Sequence, residues 1–73
     1  MPEIKIVTEV AGRVCALPFE TGGSVDDGDE IAFVEAMKME IPVLSPVSGE
    51  ITSLLVKLDD VVAEGQAIAI VAN

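Results

Sequence analysis

Shifted by 37 positions, the sequence lies over itself without a gap, and this repeat limits what the chain can fold into. Ile4 falls on Ile41, Val10 on Val47, Gly12 on Gly49 and Leu17 on Leu54. Val25 falls on Val62 and Gly28 on Gly65, while Ile31, Ala32 and Val34 fall on Ile68, Ala69 and Val71. The 73 residues therefore form two similar halves, joined near Met37 and Lys38, and a chain of this length makes a single domain over residues 1–73.

Each half reads as short strands punctuated by turn residues. In the first half the strand-like stretches are residues 4–7, 12–17, 24–25 and 31–36; in the second they are 41–44, 50–56, 61–62 and 67–72. Gly12, Gly28, Gly49 and Gly65 are read as structural turn positions. Gly28 and Gly65 are expected at positive φ or close against a neighbouring strand. Pro42 and Pro46 argue against a long helix through the middle. Strands this short in matching halves predict an all-β fold, two small antiparallel sheets packed face to face. A two-fold relation between the halves makes the chain termini the symmetry mate of the join. The first and last strands should then be neighbours, at the pole opposite Lys38.

Composition removes several classes of function. There is no histidine, and so neither the commonest general base nor the commonest zinc ligand. A single cysteine, Cys15, cannot form an internal disulfide, and its alternating surroundings suggest a small core residue. With 51% hydrophobic residues, mostly aliphatic, folding must rest on aliphatic packing. The net charge is −9, with only Lys5, Arg13, Lys38 and Lys57 basic, which argues against nucleic acid and against an anionic membrane surface. No apolar run approaches the roughly 18 residues of a membrane span, and "MPEIKIVTEV" has no long apolar core of a secretory signal. The glycines lack phosphate-loop spacing, and no acid–base constellation is visible.

The join itself breaks a local rule. Residues 31–36 and 40–44 read as strands so close together that they must form a tight hairpin. A two-residue hairpin turn favours Asn-Gly or Asp-Gly, because both central residues need positive φ. Met37-Lys38 is a poor choice for stability, and such a break marks a candidate functional site. A lone lysine in a turn is usually only solvated. Methionines on both sides, Met37 and Met39, change the weighting, since soft apolar side chains at a turn tip suit a surface on which another protein docks.

The stretch Glu35-Ala36-Met37-Lys38-Met39-Glu40, "EAMKME", resembles the attachment motif of the biotinyl domain of the biotin carboxyl carrier family. "AGRV" and "GGSVDDGDEI" before it, and "PVSGEI" and "DDVVAEGQAI" after it, extend the resemblance over nearly the whole chain. The resemblance implies a flattened barrel of two four-stranded antiparallel sheets with quasi-two-fold symmetry. It implies a free-standing carrier without the family's thumb insertion or its Ala/Pro-rich linker. It implies that a biotin protein ligase attaches biotin covalently to Lys38, with Glu35, Ala36, Met37, Met39 and Glu40 as recognition residues. The tethered biotin would carry a carboxyl group from a biotin carboxylase to a carboxyltransferase, where an acceptor such as an acyl-CoA or a 2-oxo acid, which the sequence does not specify, receives it. The expected setting is a cytoplasmic acyl-CoA carboxylase of fatty-acid metabolism, with the carrier itself non-catalytic and holding no metal. One departure stands out: Asp59-Asp60 replaces a common Gly-Asp, and Asp59 should keep the same turn with some strain.

Two alternatives share the fold. A lipoyl carrier also modifies a hairpin lysine, but its motif resembles Asp-Lys-Ala without methionines on both sides. An unmodified structural adaptor, as in membrane-fusion proteins, lacks the tip lysine and is embedded in long helical hairpins. A barrel-type phosphocarrier would need a histidine.

Overall fold

A computed structural model describes residues 2–73. Eight strands follow one another: β1 (Glu3–Val7), β2 (Gly12–Ala16), β3 (Ser24–Val25), β4 (Glu30–Ala36), β5 (Met39–Leu44), β6 (Gly49–Leu54), β7 (Val61–Val62) and β8 (Ala67–Ala72). They build two four-stranded antiparallel sheets, in the orders β1-β8-β6-β3 and β5-β4-β2-β7. The repeat exchanges these sheets strand for strand: β1 with β5, β8 with β4, β6 with β2, and β3 with β7.

The symmetry extends to single hydrogen bonds. Thr8 N–H donates to the Gln66 carbonyl and Gly65 N–H to the Thr8 carbonyl; Ser45 N–H donates to Asp29 and Gly28 N–H to Ser45 in the same way. Thr8 and Ser45 are buried hydroxyl residues, and each hydroxyl donates to the carbonyl two residues on, at Val10 and Val47. No buried side-chain polar atom is left without a partner among the described residues, so these two turns cost the core little.

Ile6, Val14, Ile31, Val34, Ile51, Ile68 and Val71 fill the space between the sheets at 2% exposure or less. Strand alternation explains most of them. Ile31 and Ala32 are adjacent and both buried because the β4–β5 register shifts there, and the bulge turns two successive side chains inward. Cys15 corrects the sequence reading. Its neighbour Val14 takes the inward position, and Cys15 is half-buried with its thiol against the Phe33 carbonyl.

Gly12 opens β2, as the 12–17 strand reading has it, and Gly49 opens β6, one residue earlier than read; the turn role given to both is corrected. A Cβ on Gly12 would run into the backbone carbonyl of Glu35, and one on Gly49 into that of Ala72. Glycine is required there because neighbouring backbones come too close for a side chain. Gly28 and Gly65 are turn glycines as expected, with φ of 93° and 82°.

The start of β1 and the end of β8 lie at the end where β4 begins. Ala72 pairs with Glu3 and with Glu50, Glu50 with Ser24, and Gly49 with Val25. From there Asp27 N–H reaches the Ser48 hydroxyl, and Ser45 N–H reaches Asp29, the residue before β4. The seven residues of β4, at roughly 3.3 Å each, then carry the chain about 20 Å away to the β4–β5 turn.

Candidate functional site

Ala36 pairs with Met39, so β4 and β5 are joined by Met37 and Lys38 alone. Their φ angles are 52° and 65°, both left-handed. This is the backbone that a two-residue hairpin needs to match the twist of its strands, and it is normally supplied by Asn-Gly. Among the described residues the one other non-glycine at positive φ is Asp59, at 72°. It sits where the first half has Gly22, at 92°, and so keeps the expected turn.

The turn projects its side chains outward. Lys38 is exposed, Met37 is 94% exposed and Met39 63%. Among the described residues both salt bridges belong to Arg13, so no carboxylate ties up the Lys38 amine. An open groove of about 430 Å³ lies beside the turn, lined by Val10, Ala11, Ala36, Met37, Met39 and Ile41, with Glu9 and Glu64 completing it. The loop after β1 and the turn before β8 reach this end through the paired hydrogen bonds of Thr8 with Gly65 and Gln66.

All six residues that the sequence singles out, Glu35 through Glu40, are gathered on this hairpin. Glu35 and Glu40 are direct cross-strand partners, an unfavourable like-charge pair. Arg13, on β2, offsets it. Its guanidinium donates to Glu35 at 3.1 Å and to Asp59 on the other side. Glu35 first, and Asp59 after it, hold the Arg13 pKa above its ordinary value. Sequence reasoning missed Arg13, Glu9, Val10 and Glu64. The signal for Arg13 was its place one residue after Gly12, where β2 meets β4, but the register had to be known to use it.

A primary amine held out in water on a rigid hairpin, beside apolar side chains that gain nothing from exposure, is suited to covalent loading and to handling by other proteins. Comparison with known proteins agrees. The biotin/lipoyl attachment family, described as "Biotin-requiring enzyme", matches residues 1–71. The biotinylated protein TB7.3 homolog of Mycobacterium leprae is 34% identical over 64 residues, 88% of this chain and 90% of that protein. The mitochondrial methylcrotonoyl-CoA carboxylase subunit alpha of Arabidopsis thaliana is 42% identical over 67 residues, 92% of this chain but 9% of that subunit. In the crystal structure of Kluyveromyces lactis urea carboxylase, a region superposes with a TM-score of 0.92 at 29% identity, covering 99% of this chain and 6% of that one.

The fold and hairpin define an attachment domain, a carrier rather than a catalyst. The chain belongs to the biotin/lipoyl attachment family, and is similar to the carrier domains of biotin-dependent carboxylases.

Proposed function

We propose that residues 1–73 act as one biotinyl domain and that Lys38 is its attachment point. The observation that carries this reading is the Met37-Lys38 turn, a lysine between two exposed methionines on a strained two-residue hairpin. A biotin protein ligase presents biotinyl-adenylate; the Lys38 ε-amine, once deprotonated, attacks the acyl carbon. An amide bond forms, the acyl–phosphate bond breaks and AMP leaves. Glu35, Ala36, Met37, Met39 and Glu40 are the surface the ligase reads around the amine. Biotin held on Lys38 would supply the nitrogen that holds the transferred carboxyl group. This chain's part is to keep that arm exposed, and to raise its effective concentration at two successive active sites without a tight complex.

The partners in this reading are a biotin carboxylase and a carboxyltransferase, in a cytoplasmic acyl-CoA carboxylase that feeds fatty-acid metabolism. Met37 and Met39 favour biotin over a lipoyl group. No helix in the described residues is long and apolar enough to cross a membrane.

The test is labelling with purified ligase, biotin and ATP. Wild-type protein should shift fully on streptavidin, and Lys38→Arg should not shift at all, because a guanidinium stays protonated and is no nucleophile. Retention of the variant, or labelling by a lipoate ligase in place of the biotin ligase, would overturn the assignment.

A further inference from the structure

The internal two-fold gives most surface residues a control position in the same backbone setting, and at one place large exposed apolar residues stand where the other half is polar. Val61 is 81% exposed and Leu58 is 56% exposed. Their mates in the first half are Ser24 and Thr21. Val61 opens the two-residue strand β7 as Ser24 opens β3, and the same backbone bonds tie each to the neighbouring strand. The fold is therefore satisfied by polar residues here, and the second half carries apolar ones in water.

These positions stand in line with the attachment hairpin. Val61 pairs with Arg13, Arg13 with Glu35, and Glu35 with Glu40, so the four side chains share the outer face of one sheet. Two strand spacings, about 10 Å, separate β7 from β4. Leu58 sits in the turn that leads into β7, closed by the Asp60 N–H to Lys57 carbonyl bond. The matching row on the other sheet is Ser24, Glu50, Ala72 and Glu3, with neither an apolar step nor an ion cluster.

We propose that this row, with Val61 at its β7 end and Leu58 in the turn that leads into it, is the seat of the ATP-dependent enzyme that carboxylates the tethered biotin. The proposal rests on the carrier reading above. Charge selects the class of occupant. Glu35 and Glu40 continue the row from Val61, Asp59 and Asp60 stand in the turn before it, and Arg13 is the one cation in the row. A second copy would bring the same acidic surface, in a chain of net charge −9, and be repelled. The fitting partner has an apolar patch ringed by Lys and Arg. An enzyme that must gather ATP and bicarbonate, both anions, is suited to carry such a cation-rimmed patch at its entrance. Reach separates it from the ligase. Before loading, the amine itself has to be reached, which crowds contacts onto the turn. After loading, the reactive ring stands at the end of a longer arm, and an enzyme can seat on the shoulder behind it.

The test uses the biotinylated full chain as the varied substrate in bicarbonate-dependent ATP cleavage by the same organism's biotin carboxylase. Val61→Ser combined with Leu58→Thr installs the residues that the first half already uses. The expected result is a KM raised about five- to tenfold with kcat unchanged, the pattern of lost docking. Ligase labelling should proceed at the wild-type rate, and the control Ser24→Val with Thr21→Leu should leave KM where it was. An unmoved KM overturns the proposal. So does slowed labelling, or a loss seen only in carboxyl transfer to the acceptor, since either gives the row to another enzyme. Failure of wild-type protein to take biotin at all is a different outcome, and removes the carrier reading itself.

Discussion

Met37 and Lys38 hold backbone conformations that Asn and Gly occupy at lower cost. A residue kept in a sparsely populated region costs on the order of 1–3 kcal/mol, a large share of the stability of a small domain. Met37→Asn should therefore raise the melting temperature by several degrees, since about 1 kcal/mol moves a domain of this size by roughly 4–8 °C. The same change should slow ligase labelling, because one of the two flanking methionines is gone; calorimetry and a timed streptavidin assay check the two halves of this prediction. Exchanging the residues, Met37→Lys with Lys38→Met, keeps the composition but re-aims the amine. It should fold and be labelled poorly, and equal labelling of exchange and wild type would count against presentation by the hairpin. At this scale the sequence was legible at Met37-Lys38, where it broke its own local rule, and at Asp59, where it departs from the Gly-Asp common in the family it resembles. Arg13 was not legible, because its partners are 22 and 46 residues away and are brought to it by strand register alone.

Glycine marks two different kinds of constraint among the strands and their turns, and substitution separates them. At Gly12 and Gly49 the obstacle is a backbone carbonyl of the neighbouring strand. Even Gly12→Ala should cost about 1–3 kcal/mol, because the sheet has to part to admit the methyl group. At Gly28 and Gly65 nothing stands within 4 Å of an added Cβ, and the obstacle is the left-handed φ. Gly65→Val should lose a similar amount through strain, while Gly65→Asn should lose much less. Denaturant midpoints for the three variants test the distinction, and equal losses for Val and Asn at position 65 would contradict it. The repeat, with short strand-like stretches between turn residues, located all eight strands, with β3, β7 and β8 read to the residue. The ends of β5 and β6 were less visible. β5 starts two residues before the expected 41–44 stretch, because the hairpin ladder continues to its last pair. β6 stops before Val56, which is buried without belonging to the ladder. Gly12 and Gly49 were misread for a related reason, since close approach of two backbones depends on a partner distant in the chain.

Across the whole molecule, the repeat was the most informative part of the sequence, because a two-fold fixes where eight strands go once four are placed. It also put the termini together, and the pairing of Glu3 with Ala72 bears that out. A bulky tag at either end should thus leave labelling at Lys38 nearly unchanged. A circular permutant closed from Asn73 to Met1 and reopened near Asp27 should fold and be labelled, whereas one reopened between Met37 and Lys38 should fold without being labelled. Loss of labelling in the first permutant, or its survival in the second, would place the functional turn elsewhere. The two halves are also interlocked: β2 lies between β4 of its own half and β7 of the other, and β8 lies between β6 and β1. Ile68, Ala69 and Val71 of β8 are fully buried. On a translating ribosome, then, the hairpin that carries Lys38 emerges long before the strand that completes its barrel. A ligase acting on Lys38 would then meet a finished target only once β8 has cleared the exit tunnel, so loading would follow the joining of both halves.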